Sequence, residues 1–160
     1  NNGQIPPPNY RDSKWFKWRI NKLNSFAKIL TEKIKSNGDY LVSFSPNIYP
    51  WSYENLMQDW PTWIKENDVD ILNVQCYRKN FKDYKKVIDQ VLGYTQNILP
   101  KTKISPGIIL GTSDKRMIDA ENLDSILEYN KKINLNSHSF FYVKWILEDN
   151  YYDRQFLTFN

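Results

Sequence analysis

Apolar and polar positions change period several times along the chain, and each change marks a new element. Ile20, Leu23, Ala27, Leu30 and Ile34 recur at three- and four-residue steps, which gathers them on one face of an amphipathic helix. Ahead of them, Pro6-Pro7-Pro8 bars a helix and favours an extended surface segment. Asp12 or Ser13 supplies the cap, and Asn37-Gly38 ends the helix with a residue suited to positive φ. Tyr40-Leu41-Val42-Ser43-Phe44 reads as a short apolar strand stopped by Ser45-Pro46-Asn47. Beyond a loop through Trp51, Ser52 caps a helix over residues 53–66, and Pro61 is expected to kink or split it.

The stretch Asp70-Ile71-Leu72-Asn73-Val74-Gln75-Cys76-Tyr77-Arg78 organises the rest of the chain. Ile71, Leu72 and Val74 suit a buried strand, yet the run continues into Gln75, Tyr77 and Arg78. Polar residues at the C-terminal end of a parallel strand stand where α/β folds bind ligands. Asn80 caps a helix with Phe81, Tyr84, Ile88, Val91 and Leu92 inward, closed by Pro100. Residues 104–110 form a third strand whose start is irregular at Pro106-Gly107, before the loop Gly111-Thr112-Ser113-Asp114. Asp119 caps a helix using Leu123, Ile126, Leu127 and Ile133. A fourth strand covers residues 139–143, and from Trp145 the chain reads as a short helix and a loose end.

Helix and strand thus alternate four times at intervals of roughly 30–35 residues, the size of a βα unit. That predicts a parallel sheet with helices packed outside it, either a small doubly wound sheet or half of an eight-stranded barrel. The chain opens on Asn1 and on a helix rather than a strand, which fits a cut made within a longer series. The expected organisation is an extended Pro-rich segment over residues 1–12, β/α units over 13–147 and a tail over 148–160.

Composition narrows the chemistry. Hydrophobic residues make up 41% and charged residues 25% of the 160 positions, a globular balance rather than a disordered one. The net charge of +4 is spread beside Asp and Glu rather than gathered in a basic run, which argues against nucleic acid as a partner. No apolar run is long enough to span a membrane. A single cysteine, Cys76, excludes an internal disulfide and reads as an apolar filler. With His138 the lone histidine, no metal site and no cofactor are expected. Aromatics reach 16%, which suits sugar or base stacking, or a bulky core.

Candidate contacts lie at strand ends. Gln75 offers donor and acceptor to adjacent sugar hydroxyls, Tyr77 a ring or a hydroxyl, and Arg78 a fork for a carboxylate; the alternative is a polar network closing the rim. Ser45 and Asn47 form a second cluster, or a rigid turn. Asp59 is a sugar-hydroxyl acceptor or a tether, and Tyr142 belongs to the pocket or to the core. Trp51, Trp60 and Trp63 line a cleft or pack helices. Hydrolysis with carboxyl groups as acid and base needs a pair of them at one site. Asp114, Glu148 and Asp149 are the acids nearest strand ends, and none has a compelling partner, so the catalytic residues stay unknown. Asp70 precedes its strand and reads as structural.

Several segments, in order, resemble the glycosyl-hydrolase-like family 10 barrel proteins. Trp15-Phe16-Lys17-Trp18-Arg19 is similar to their Trp-x-x-Trp-Arg segment, and Phe44-Ser45-Pro46-Asn47 to their strand-five Ser-Pro signature. Gln58-Asp59-Trp60-Pro61-Thr62-Trp63 resembles their Asp-Trp-x-x-Trp helix, Val74-Gln75-Cys76-Tyr77-Arg78 their strand-six Gln-x-Tyr-Arg, and Ser139-Phe140-Phe141-Tyr142 their last strand. The resemblance implies strands five to eight, the C-terminal half of a (β/α)8 TIM-type barrel acting on polysaccharide, with the glycan of bacterial cell walls as a candidate. The family's paired-Asp motif on strand four would precede Asn1, and Val143 stands where the family commonly has Glu.

Three functions stand as expectations. The first is half of a glycoside hydrolase supplying substrate contacts, completed by a missing N-terminal half-barrel or a second copy that covers its open edges. The second is a non-catalytic carbohydrate-binding barrel domain. The third, a flavodoxin-like or response-regulator-like sheet domain, predicts a Gly-rich or acidic pocket after the first strand that the sequence lacks. An extracytoplasmic location suits a cell-wall substrate.

Overall fold

The first helix, α1 (Ser13–Lys35), begins where the Asp12 carboxylate accepts a hydrogen bond from the Trp15 N–H, satisfying one orphan donor of its first turn. A computed structural model describes residues 3, 5–66, 68–96, 98, 102–112 and 117–147. After α1 come β1 (Ser43–Phe44), α2 (Trp51–Leu56), α3 (Trp60–Lys65), β2 (Ile71–Leu72), α4 (Phe81–Thr95), β3 (Lys103–Ile104), β4 (Gly107–Ile109), α5 (Ala120–Lys132), β5 (Ser139–Phe141) and α6 (Lys144–Leu147). Asn80 and Asp119 cap α4 and α5 through the N–H groups of Asp83 and Asn122, as the sequence predicts.

The strands are shorter than the apolar runs suggest. β1, β2 and β3 form one parallel sheet in that order, and β4 pairs with β5 in a second. Hydrogen bonds carry the pairing past the strand ends: Asn73 N–H reaches Phe44 O at 2.8 Å, Gln75 N–H reaches Pro46 O at 2.9 Å, and Ser105 N–H reaches Leu72 O at 2.9 Å. A parallel pairing of Gln75 with Gly107 links the two sheets. The single strand expected over residues 104–110 is therefore broken at Ser105-Pro106 and changes partner there: Lys103 faces β2, and the Pro106 carbonyl accepts from Ser139. Proline has no N–H for a ladder but keeps its carbonyl. The result is a mixed α/β fold with short parallel sheets, compatible with part of a barrel.

Along β2 and its continuation, Leu72, Val74 and Cys76 are each 0% exposed, while Asn73, Gln75 and Tyr77 alternate with them and are only half-buried. The buried set packs with Ala27 of α1, Trp60, Trp63 and Ile64 of α3, Tyr84, Ile88 and Val91 of α4, and Ile126 of α5. One face of the sheet thus carries the helices and the core. Each large apolar side chain removed from water there contributes about 1.5–3 kcal/mol before entropy is counted.

The helix expected over residues 53–66 is two helices, and the break precedes Pro61. Met57 adopts a left-handed conformation, φ 58°, and ends α2, while Pro61 sits in the first turn of α3. A proline there costs no hydrogen bond, because that donor has no intrahelical acceptor. Ser52 is buried inside α2 rather than capping it, and its hydroxyl donates to Gln58 O. Pro100, Ser113, Asp114 and the tail beyond Leu147 lie outside the described residues.

Candidate functional site

Ser45, Asn47 and Gln75 meet at the C-terminal ends of β1 and β2. The Gln75 side-chain amide donates to Ser45 O at 2.8 Å, and the Ser45 hydroxyl donates to Asn73 O at 2.9 Å. Asn73 in turn donates to the Ser43 hydroxyl at 2.5 Å, so a polar ladder crosses the half-open sheet face. Asn47 is held by its backbone: its N–H donates to Gln58 Oε1 at 2.9 Å and its carbonyl accepts from Trp60 Nε1 at 3.1 Å. The loop after β1 is therefore anchored to the helix layer, and Gln75 keeps its Oε1 as an acceptor on the sheet face.

Tyr77 continues this face. Its ring lies 5.1 Å from that of Phe141, which lies 4.9 Å from that of Tyr142. Gly107 makes room for it, since a Cβ there would stand 3.1 Å from Tyr77 Cε1 and 3.2 Å from Val74 O. Burial, and then the neighbouring Cys76, push the Tyr77 phenol pKa upward, so its hydroxyl remains a donor at neutral pH. Arg78 folds back and donates to Tyr77 O at 2.8 Å. Lys79, which the sequence pattern does not single out, donates to the Thr112 hydroxyl at 2.9 Å and ties the ends of the second and third strand segments together. Phe141 also escapes a reading for polar strand ends. Its signal is nonetheless present: strand alternation turns Phe141 away from the core-packed Phe140, and Phe141 is half open to water.

Asp59 is elsewhere. Its carboxylate accepts from Asn24 Nδ2 at 3.3 Å and from the Thr62 hydroxyl at 2.8 Å, and Asn24 Oδ1 accepts from Trp63 Nε1 at 2.7 Å. This is a tether between α1 and α3, and among the described residues no hydrogen bond joins Asp59 to Ser45, Gln75 or Tyr77. Trp60 is wholly buried in the core, Trp63 is buried but lines a recess shared with Phe26, Phe44 and Ser45, and Trp51 is 51% exposed. Asp70, at the opposite end of its strand, accepts from Lys35 Nζ at 2.6 Å and from Val42 N–H at 2.8 Å. Burial raises its pKa, but these two hydrogen bonds and the Lys35 charge outweigh it and hold the carboxyl below the ordinary range. Asp114, Glu148 and Asp149 lie outside the described residues.

The face can therefore offer hydroxyl, amide and phenol hydrogen-bonding groups beside open rings, a set suited to a polyhydroxylated ligand. Among the described residues, no carboxylate hydrogen-bonds to Ser45, Gln75, Tyr77 or Tyr142, and no helix is long and apolar enough to cross a membrane. No curated protein and no solved structure matches the chain. The model of one family, glycosyl hydrolase-like 10, matches residues 1–130. By that match, over most of its length, this chain belongs to the glycosyl hydrolase-like 10 family.

Proposed function

We propose that the chain is the C-terminal half of a (β/α)8 barrel of glycoside-hydrolase type, four β/α units whose strand ends hold a polysaccharide while residues outside the chain supply the acid. The observation that carries this reading is the juxtaposition of Ser45 with Gln75 and of Tyr77 with Phe141 and Tyr142 on one sheet face. Among the described residues, the helices packed against β2 lie on its other face, which favours a barrel wall over a doubly wound sheet. The outer flank of β1 carries Leu41 at 73% exposure and, on α1, Ile29 at 63% and Phe26 at 59%. Such apolar exposure beside an unpaired strand edge is a surface that a further strand covers. An N-terminal half-barrel, or a second copy of this chain, is the partner of that edge. Cell-wall glycan, the substrate class that the family resemblance suggests, presents hydroxyl and amide groups along its pyranose backbone. This suits the uncharged hydrogen-bonding groups of Ser45, Asn47, Gln75 and Tyr77.

A binding domain without catalysis is the second reading. Val143, at 60% exposure, presents no carboxyl where the family resemblance leads one to expect Glu. Titrating the chain with peptide-free peptidoglycan strands, followed by tryptophan fluorescence, tests the shared claim: saturable binding that Gln75→Ala weakens is expected, and no binding sinks both readings. Adding the N-terminal half-barrel and assaying release of reducing ends separates them, since turnover supports the hydrolase and binding alone the second reading.

A further inference from the structure

A cavity of about 250 Å³ opens between the start of α1 and α2, lined by Arg11, Phe16, Glu54 and Asn55. A series of packed rings links it to the strand-end loop: Tyr49 lies 5.6 Å from Tyr53, and Tyr53 meets Phe16 edge-on at 5.4 Å. Phe16 therefore forms an apolar wall, and the other three residues give donors and acceptors around it. Arg11 and Glu54 are both exposed, and among the described residues no ion pair joins them, so both keep hydrogen-bonding capacity facing the opening. Asn55 spends one N–H on Trp51 O at 2.9 Å and retains its side-chain carbonyl. Trp51 lies one helical turn before Asn55 on the same face of α2 and is 51% exposed. One cation and one anion cancel, which disfavours a charged ligand. Ring, amide and opposed charges together match a neutral sugar, whose C–H face lies on an aromatic and whose hydroxyls both donate and accept.

We infer that this α1–α2 cavity is an outlying subsite for a neutral pyranose ring of the same glycan that the strand-end face holds, and the inference rests on the proposed function for the identity of that glycan. The test uses the full 15N-labelled chain titrated with chitotriose and with chitohexaose. The hexamer is expected to shift the amides of Arg11, Glu54 and Asn55 together with those of Ser45 and Gln75, and the trimer only the latter pair. Arg11→Ala and Glu54→Ala, both at exposed positions, are expected to weaken hexamer binding about three- to tenfold and to leave trimer binding unchanged. Hexamer binding at Ser45 and Gln75 that neither substitution weakens overturns the subsite and leaves the strand-end reading intact. Shifts at Arg11, Glu54 and Asn55 without any at Ser45 and Gln75 support the cavity and overturn that reading. No shifts at either place overturn both.

Discussion

The side-chain amide of Gln75 spans to the backbone carbonyl of Ser45 at 2.8 Å, so the ends of two neighbouring strand segments are joined by a group that also faces solvent. Its donor side fixes the orientation and its Oε1 is left for a ligand. Gln75→Ala should weaken glycan binding about three- to tenfold, the worth of one or two hydrogen bonds. The melting temperature should change little, because the backbone bond from Gln75 N–H to Pro46 O remains. Calorimetric titration beside a thermal melt checks both halves.

Cys76 is wholly buried, and burial pushes its thiol pKa up to about 12 despite the nearby Arg78 charge. The thiolate is the reactive form, so the folded chain at pH 8 should resist iodoacetamide while the urea-unfolded chain is alkylated readily. Mass spectrometry of the two samples gives the answer, and rapid labelling of the native form would contradict the packing described for β2.

Asp70 links pH to stability. Its carboxyl titrates lower in the folded chain than the roughly 3.9 of an unperturbed Asp. Its contribution is therefore fully present above that value and is lost as pH falls through the folded pKa. Lys35 is substantially exposed, so the ion pair adds little, and the hydrogen bond to the buried Val42 N–H dominates. Asp70→Ala should cost about 1–2 kcal/mol at pH 7 and flatten the acid limb of urea midpoints measured between pH 3 and 7.

Asn24 holds two partners, accepting from Trp63 Nε1 at 2.7 Å and donating to Asp59 at 3.3 Å. Asn24→Ala strands the indole N–H of a buried tryptophan, at a cost of about 1–3 kcal/mol, and urea unfolding reads it directly. Glycan affinity should stay as it was, since this tether belongs to the helix layer.

Tyr84 donates to Asn130 Oδ1 at 2.9 Å between α4 and α5, and the Asn130 Nδ2 is buried without a partner. Replacing only Asn130 by Leu should destabilise by about 1–3 kcal/mol, because the Tyr84 hydroxyl then has no acceptor. Tyr84→Phe combined with Asn130→Leu should recover most of that loss. A double-mutant cycle measures the coupling.

Much of this fold is legible in the sequence. The periodicity of α1, α4 and α5 and the caps at Asp12, Asn80 and Asp119 are local properties, written in residues a few positions apart. The polar end of the Asp70–Arg78 run is legible too, because alternation alone assigns Leu72, Val74 and Cys76 to one face and Gln75 and Tyr77 to the other. Asp59 is ambiguous because a carboxylate near an N-cap looks alike whether it meets a ligand or a distant Asn24. Trp60 and Trp63 cannot be told from Trp51 for the same reason: Trp63 meets Asn24 of α1 and Trp60 meets Tyr94 of α4, both far away in sequence. The early end of α2 is hidden because left-handed Met57 is a conformation that composition does not favour.

The partner change at Ser105-Pro106 divides the sheet into two parts that meet along one line, above a core that both share. β1, β2 and β3 lean on one another, whereas β4 and β5 join them through the Gln75–Gly107 pairing and the side chains beneath it. Thermal fluctuation should respect that line: the pairing of β5 with β4 can open without breaking a hydrogen bond of the first sheet, and amides of residues 139–141 should exchange with deuterium faster than those of residues 71–74. Faster exchange there would make Ser105-Pro106 the line along which the half of the rim built from Phe141 and Tyr142 loosens first, while Ser45 and Gln75 stay in register.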